Sequence, residues 1–232
     1  MVILNGVDIN SVAAVKVEDI KVSAIQYSQT VRERTVLSGS DFVRNRAASR
    51  TVAITFALLA QDRNARQSAL DAISAWAKTD KEYKLELAGH PNRYLMAVCT
   101  EKPSPSLRQW WEAKLRIVFT CFDDPFWNDT LEKSVACGTQ FVVLGDAPPH
   151  MRIERTLSAS ASNQSYTMDG NTMTFSTIPA GDMVIDLDRQ TAKVGTTSIM
   201  QYYNVNSSFI VPSVGTHTVT GTGTVKYRER FV

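Results

Sequence analysis

Apolar and polar side chains alternate with a period of two along most of this chain, whereas an apolar stripe at helical spacing occurs once. The alternation is clearest at residues 51–59 (TVAITFALL), where Val52, Ile54, Phe56 and Leu58 share one face. Because successive side chains of a strand point to opposite faces, this pattern is typical of a strand with one buried side. The chain is therefore predicted to be mainly β.

The single helical stripe comes directly after this strand. Asp62 is a suitable N-cap for it. The stripe consists of apolar residues three and four positions apart, namely Ala65, Ala69, Leu70, Ile73, Trp76 and Ala77. One helix among strands predicts an α+β arrangement for the first half of the chain.

Strand patterns of the first half are separated by turn signals, of which Asn5-Gly6 is the strongest hairpin signal. A second turn is expected at residues 37–40. The predicted strands are Val2–Leu4, Val7–Ile9, Ala13–Val17, Ile20–Val36, Thr51–Leu59, Tyr83–Leu87, Arg93–Cys99 and Leu107–Phe122.

The composition changes near Trp127. Residues 1–127 hold all four tryptophans, whereas residues 128–232 hold 25 Ser and Thr compared with 17 in the longer first part. With Pro125 interrupting any strand at residues 123–128, two domains are predicted, 1–127 and 128–232. The second shows no helical period, and its evenly spaced strands indicate a β-sandwich or jelly roll. Those strands are Gln140–Leu144, His150–Arg155, Gln164–Met168, Asn171–Phe175, Met183–Asp188, Thr191–Val194, Ser208–Val211, Thr216–Thr220 and Thr224–Arg230.

Charge and cysteine content exclude several classes of protein. A net charge of +2 over 232 residues does not indicate a nucleic-acid-binding module. Neither a signal peptide nor a membrane span is expected. Three widely spaced cysteines, Cys99, Cys121 and Cys137, are expected to be buried free thiols in a reducing cytoplasm, with redox or metal chemistry as the alternative.

Residues that could carry catalysis are sparse. None of His90, His150 and His217 has a second His, Cys or carboxylate at ligand spacing in its own segment. The pair Asp123-Asp124 and the series Asp182, Asp186 and Asp188 could serve acid–base chemistry. A strand-end cap before Pro125 explains the pair better, and projection of Asp186 and Asp188 from a strand edge explains the series better. No phosphate-binding or nucleophile-elbow motif occurs. We therefore expect no enzyme, no catalytic or metal site and no cofactor.

One charged feature stands out, the arginine run of Arg32, Arg34, Arg44, Arg46 and Arg50. It surrounds the turn at residues 37–40, so it is expected along a projecting hairpin or arm. Arginine is favoured at subunit contacts because its planar guanidinium pairs with carboxylates. A contact surface between subunits and a merely solvated arm both remain open.

The order of these segments resembles that of siphophage distal tail proteins. In the first half the resemblance rests on residues 90–94 (HPNRY) and on the strand ending at 119–127 (FTCFDDPFW). In the second half it rests on residues 145–149 (GDAPP), 179–186 (PAGDMVID) and 209–217 (FIVPSVGTH). Thr216-His217 follow the last loop's Gly215 where the family usually has Asn, which weakens only that match.

This resemblance implies a β-rich amino-terminal domain with one helix and a galectin-like carboxyl-terminal sandwich. It further implies six copies closing into a ring at the distal end of the virion tail, after assembly in the host cytoplasm. The implied partners are other copies of the chain, the tail tube protein and the tail-tip spike or receptor-binding proteins. DNA is expected to pass through the ring without being bound.

Two other functions compete with this one. A carbohydrate-binding adhesin acting through the second domain would need an exposed aromatic platform with nearby amides. Tyr202, Tyr203 and Asn204 form the only such segment, and they serve equally well as core or docking residues. A glycoside hydrolase would need two carboxylates facing each other across a groove, and the sequence indicates no such pair.

Overall fold

The computed structural model describes residues 1–33, 40–109 and 112–232, with the side chains of 31–46, 59, 102 and 104–112 outside the description. The chain forms two compact units, Met1–Trp127 and Asn128–Val232. Antiparallel strands make up most of both. The predicted fold class, mainly β with α+β character in the first unit, is confirmed.

The first unit is built on one antiparallel sheet in the order β2–β1–β6–β7–β8–β5, with β3 and β4 following one another along the far edge of β5. Its elements in chain order are β1 (Val2–Leu4), β2 (Val7–Asp8), α1 (Ile9–Val12), β3 (Val15–Val22), β4 (Gln26–Glu33), β5 (Ser40–Leu59), α2 (Arg63–Ala77), β6 (Tyr83–Leu87), β7 (Arg93–Gln109) and β8 (Glu112–Cys121). Strand β9 (Trp127–Asp129) contains the division between the units.

Strands β5 and β8 supply the centre of the first core. In their register Ile54 lies opposite Ile117 and Phe56 opposite Leu115, and all four side chains are fully buried. Burial of an apolar side chain of this size contributes about 1.5–3 kcal/mol. The alternation in residues 51–59 thus specifies the buried face of this sheet.

Helix α2 begins as predicted. The Asp62 carboxylate accepts a hydrogen bond from the backbone N–H of Ala65 at 2.7 Å, which satisfies one of the unpaired donors of the first turn. Only Ile73 and Ala77 are fully buried along the stripe, and Ala65 is exposed. The second half of the helix therefore does most of its packing.

One predicted strand of the first unit, Val7–Ile9, is too long. Strand β2 ends at Asp8, whose carboxylate accepts a hydrogen bond from the backbone N–H of Asn10 at 3.0 Å. Ile9 consequently begins the short helix α1. A helix of four residues is shorter than the window in which a helical period is detectable.

The predicted single strand Leu107–Phe122 is also wrong. Leu107 belongs to β7 and lies opposite Ala113 of β8, so the chain reverses between these two positions. None of the residues between Leu107 and Ala113 is Gly, Pro, Asn or Asp, so the reversal has no turn signal in the sequence. The predicted strand Ile20–Val36 is likewise divided into β3 and β4, and its last residues lie outside the described part of the chain.

The second unit is a β-sandwich. One sheet has the order β10–β19–β12–β15–β16–β17, and the other consists of β11–β18 and β13–β14, which are linked through a bridge between Thr167 and Thr220. Its strands are β10 (Lys133–Ala136), β11 (Gln140–Val143), β12 (Ala147–Leu157), β13 (Ala161–Met168), β14 (Asn171–Ile178), β15 (Gly181–Asp186), β16 (Thr191–Val194), β17 (Thr197–Ser198), β18 (Gly215–Thr218) and β19 (Thr224–Phe231).

The core of the sandwich combines alternate residues of both layers. Ile153 and Ile185 come from the first sheet, and Phe141 and Phe175 come from the second. Residues 208–211 do not form the predicted strand, although Ile210 among them is fully buried. Apolar residues there reflect burial of an irregular segment, which a run of four residues does not distinguish from a strand.

Candidate functional site

The first candidate surface is the hairpin of β4 and β5. Residues 50–59 of β5 pair with β8 on one side, and residues 52–58 pair with β3 on the other. Residues 40–49 of β5 pair only with β4, within the described part of the chain. The hairpin therefore extends beyond the main sheet as a two-stranded arm, hereafter the arm (residues 26–33 and 40–49).

The arm leaves two strand edges without a partner strand among the described residues. One is the outer edge of β4, and the other is the edge of β5 on the side where β8 stops at Cys121. Unpaired edges of this kind readily accept a strand from another chain. The arm thus offers two different backbone surfaces for contact between subunits.

The structure separates the five arginines that the sequence groups together. Arg34 lies outside the described residues, and Arg32, Arg44 and Arg46 are described in their backbone only, on opposite strands of the arm. Arg50 is placed differently. It lies opposite Cys121, where β5 enters the main sheet, and only 4% of its surface is exposed.

The buried guanidinium of Arg50 has fewer hydrogen-bond partners than donors. Its Nε and Nη1 atoms are buried and have no hydrogen-bond partner among the described residues. Loss of hydration lowers the pKa of its guanidinium, against the opposing influence of Cys121 and Tyr27. In the subunit alone, Arg50 presents almost no surface that a neighbouring copy can reach.

The two sequence segments that carry the family resemblance in the first unit lie together. The ring of His90 stacks on the indole of Trp127, with centroids 4.1 Å apart and an interplanar angle of 27°. Glu82 holds the end of the second segment, because its Oε1 accepts hydrogen bonds from the backbone N–H groups of Phe122 (2.9 Å) and Asp123 (3.1 Å). These contacts give the two segments a structural role.

In the second unit, the three residues of the possible carbohydrate patch have different roles. The Tyr203 hydroxyl donates a hydrogen bond to the Ser207 carbonyl oxygen at 2.7 Å, and its ring packs against Phe175. The Asn204 side chain accepts a hydrogen bond from the backbone N–H of Asn206 at 3.0 Å. Tyr202 alone borders a cavity, of about 280 Å³.

Two His–Asp pairs join residues that are distant in the sequence. His150 Nδ1 lies 2.5 Å from an oxygen of Asp188, and His217 Nδ1 lies 2.7 Å from an oxygen of Asp169. His217 Nε2 is 3.0 Å from the Ser213 carbonyl oxygen, so both nitrogens of this buried ring face oxygen acceptors. His217 is therefore a buried residue that lies close to Asp169 and to the Ser213 carbonyl oxygen, and the sequence contained no local signal for either pair.

The His150 pair lies in a polar cavity of about 260 Å³. Arg152 makes a bidentate ion pair with Glu132 there, in which Nη1 and Nη2 donate to Oε1 and Oε2 at 2.7 and 2.8 Å. Arg228 lies 3.8 Å from the same carboxylate. The positive and negative groups of this cavity thus neutralise one another, an arrangement typical of a solvated sheet face.

Three further carboxylates that the sequence singled out bond to the backbone or to a nearby hydroxyl. Asp124 accepts from the N–H of Phe126 at 3.4 Å, and Asp186 from the N–H of Arg189 at 2.9 Å. Asp182 accepts from the Thr156 hydroxyl at 2.7 Å. In the described residues no three His, Cys, Asp or Glu side chains are grouped as metal ligands. Nor does the described chain contain a helix with the length and apolar character needed to cross a membrane.

The cysteines are free thiols in different surroundings. Cys121 is fully buried, and Cys99 and Cys137 are partly exposed. Burial, the largest influence on all three, raises their pKa values, and that of Cys121 rises to about 12. Thiols with raised pKa values are weak nucleophiles, so these environments do not favour a reactive cysteine.

Comparison with solved structures finds a match over the whole chain. The structure of the SPP1 Dit protein, described as a paradigm of the hub adsorption apparatus in phages infecting Gram-positive bacteria, superimposes with a TM-score of 0.76 at 16% sequence identity. The match covers 100% of this chain and 98% of that one. This chain has the fold of a phage hub protein. The resemblance to distal tail proteins is thereby confirmed at the level of the fold.

Two structures of the phage P2 baseplate in its activated conformation superimpose less closely. For the structure with Ca the TM-score is 0.48 at 7% identity, covering 96% of this chain and 92% of that one. For the structure with Sr the TM-score is 0.47 at 8% identity, covering 96% and 93%. No protein-family model and no curated protein matches the sequence.

Proposed function

We propose that this protein is a non-enzymatic structural subunit of a phage tail tip, and that six copies form a ring at the distal end of the tail tube. The observation that carries the proposal is the whole-chain fold similarity to SPP1 Dit, with a TM-score of 0.76 over 100% of the chain. A match that spans both units is better explained by a shared architecture than by one common domain.

The arm is suited to ring closure. A cyclic ring is built from heterologous contacts, in which one surface of each copy meets a different surface of the next. The outer edge of β4 and the free edge of β5 provide two such surfaces on one subunit. We infer that neighbouring copies pair along these edges, with Arg32, Arg34, Arg44 and Arg46 reaching carboxylates on the next subunit.

The ring would join the tail tube protein to the spike or receptor-binding proteins, with the second unit facing the latter. The low net charge of +2 suits a channel through which DNA slides, because each neutralised phosphate adds affinity through counterion release. The protein would thus belong to the virion tail and be assembled in the host cytoplasm.

The ring is tested by light scattering on the purified full-length chain. We expect a particle of six times the 25.7 kDa subunit mass. In the decisive variant, residues 30–44 are replaced by Asn-Gly, which closes a tight hairpin on the opposed pair Gln29 and Asn45. This variant should stay folded and become monomeric.

Two double variants separate the arginines from the strand edges. Arg32→Ala with Arg44→Ala should weaken ring assembly at least about tenfold if the guanidinium groups pair with a neighbour. Arg63→Ala with Arg189→Ala is the matched control, since both residues are exposed and lie outside the arm. A wild-type protein that remains monomeric at high concentration would contradict the proposal.

A further inference from the structure

We propose that the second unit carries a binding site for a neutral saccharide, in the cavity of about 280 Å³ beside Tyr202. The site would add attachment to a glycan surface to the structural role, and it does not depend on ring formation. Pockets for drug-sized ligands measure about 300–1,000 Å³, and a single sugar ring is smaller than such a ligand, so this cavity has room for about one sugar ring.

Part of the cavity lining is apolar. Tyr202, Pro179 and Val194 belong to this part. Sugar rings present a face of C–H groups, and an aromatic ring with a polar end is the side chain best suited to cover such a face. Gly181 allows Val194 its present position, because a Cβ at residue 181 would lie 2.7 Å from Cγ1 of Val194 and displace it.

The rim of the cavity carries neutral hydrogen-bonding groups. Thr197, Ser198 and Gln201 are exposed there. The Ser198 hydroxyl oxygen accepts a hydrogen bond from the backbone N–H of Met200 at 3.4 Å, which leaves its own proton available to a ligand. The Gln201 amide adds both donors and an acceptor, the combination that recognises sugar hydroxyl groups.

The absence of charged side chains from the cavity lining indicates a neutral ligand. None of the side chains that line this cavity is ionisable at neutral pH. The polar cavity at His150 in the same unit differs, because its lining includes Glu132, Arg152 and Asp188. A carboxylate or phosphate ligand would find no counter-ion among the lining side chains, whereas a neutral polyol needs none.

The cavity walls are held by the backbone. The N–H of Tyr202 donates to the Ile199 carbonyl oxygen at 3.0 Å, and the Tyr202 carbonyl oxygen accepts from the Ser176 hydroxyl at 3.3 Å. The N–H of Ile199 in turn donates to the Ala192 carbonyl oxygen at 3.0 Å. Because the walls are already ordered, binding a small ligand carries little additional entropic cost.

Saturation-transfer NMR on the full-length protein tests the site. The probes are methyl α-glucopyranoside, methyl β-galactopyranoside and N-acetylglucosamine, with glucuronic acid as the charged comparison. We expect at least one neutral sugar to bind with a Kd of about 1 mM, a value typical of a single small contact. Glucuronic acid should bind at least about tenfold more weakly.

Substitutions of cavity residues test where the sugar binds. Tyr202→Ala and Gln201→Ala should each weaken it about tenfold or more, and Gln201 is exposed enough that its loss should not disturb folding. Gln140→Ala is the matched control, an exposed glutamine of the same unit that does not line this cavity. The proposal is overturned if no neutral sugar binds, if glucuronic acid binds better, or if both cavity variants bind like the wild type. Light scattering on the same samples reports ring formation separately.

Discussion

The imidazole of His90 lies flat on the indole of Trp127, 4.1 Å away between ring centroids, and so connects two segments that are far apart in the sequence. Burial lowers the pKa of His90 from its ordinary value of 6.5, and the nearby charges of Arg93 and Arg50 lower it further. The stacked ring is therefore neutral near pH 7, the form that burial favours.

This stack makes the stability of the protein depend on pH in a defined direction. The unfolded chain takes up the His90 proton near pH 6.5, whereas the folded chain resists it until a lower pH is reached. The contribution of His90 is complete above the unfolded pKa and is lost as the pH falls through the folded pKa. We expect His90→Phe, which keeps an aromatic stack, to lose less stability than the wild type between about pH 7.5 and about pH 5.5. Urea unfolding at both pH values measures this, and equal losses would contradict it.

The Cys121 thiol should be nearly inert in the folded protein. Burial raises its pKa from 9.0 to about 12, with Glu82 and Asp124 adding to the effect and Arg50 opposing it. The thiolate fraction at about pH 8 is then roughly a thousandfold smaller than for an ordinary cysteine. Iodoacetamide labelling followed by peptide mass spectrometry should find Cys99 and Cys137 modified well before Cys121. Labelling of Cys121 first would show that it is not buried.

Arg50 should be replaceable by an apolar residue of similar length. A buried cation with two unpaired nitrogens carries a desolvation cost that its weak partners do not offset. We expect Arg50→Met to leave the free energy of unfolding unchanged or to raise it by up to about 2 kcal/mol. Arg50→Ala, which leaves a cavity, should lower it by about 1–3 kcal/mol. Denaturant unfolding distinguishes the two, and a large loss in Arg50→Met would indicate a partner for the guanidinium.

Gly145 is predicted to tolerate no side chain. A Cβ at this position would collide with the backbone of Arg230 on β19, which cannot move without disturbing the sheet. We expect Gly145→Ala to lower the free energy of unfolding by about 1–3 kcal/mol. Gly89→Ala is the control, because a Cβ there meets nothing within 4 Å and no left-handed backbone is required. A similar stability for both variants would show that the close approach of residue 145 to β19 is not maintained.

Local patterns in the sequence determined the elements that depend on near neighbours. The alternation at residues 51–59 specified which face of β5 is buried, and Asp62 was recognisable as the N-cap of α2 because a cap bonds within its own first turn. Two local elements could not be predicted, for physical reasons. The four-residue helix α1 is too short to show a period, and the reversal between Leu107 and Ala113 has no turn residue to mark it.

Contacts between distant segments were decided only by the tertiary structure. Asp188 reaches His150 from a position 38 residues away, and the pair forms because β12 and β15 lie side by side. Periodicity specifies the face to which a side chain points, but it does not specify which strand lies beside it. For this reason the sequence grouped Arg50 with the arginines of the arm. Its burial follows from a tertiary pairing, that of residue 50 with Cys121 on β8.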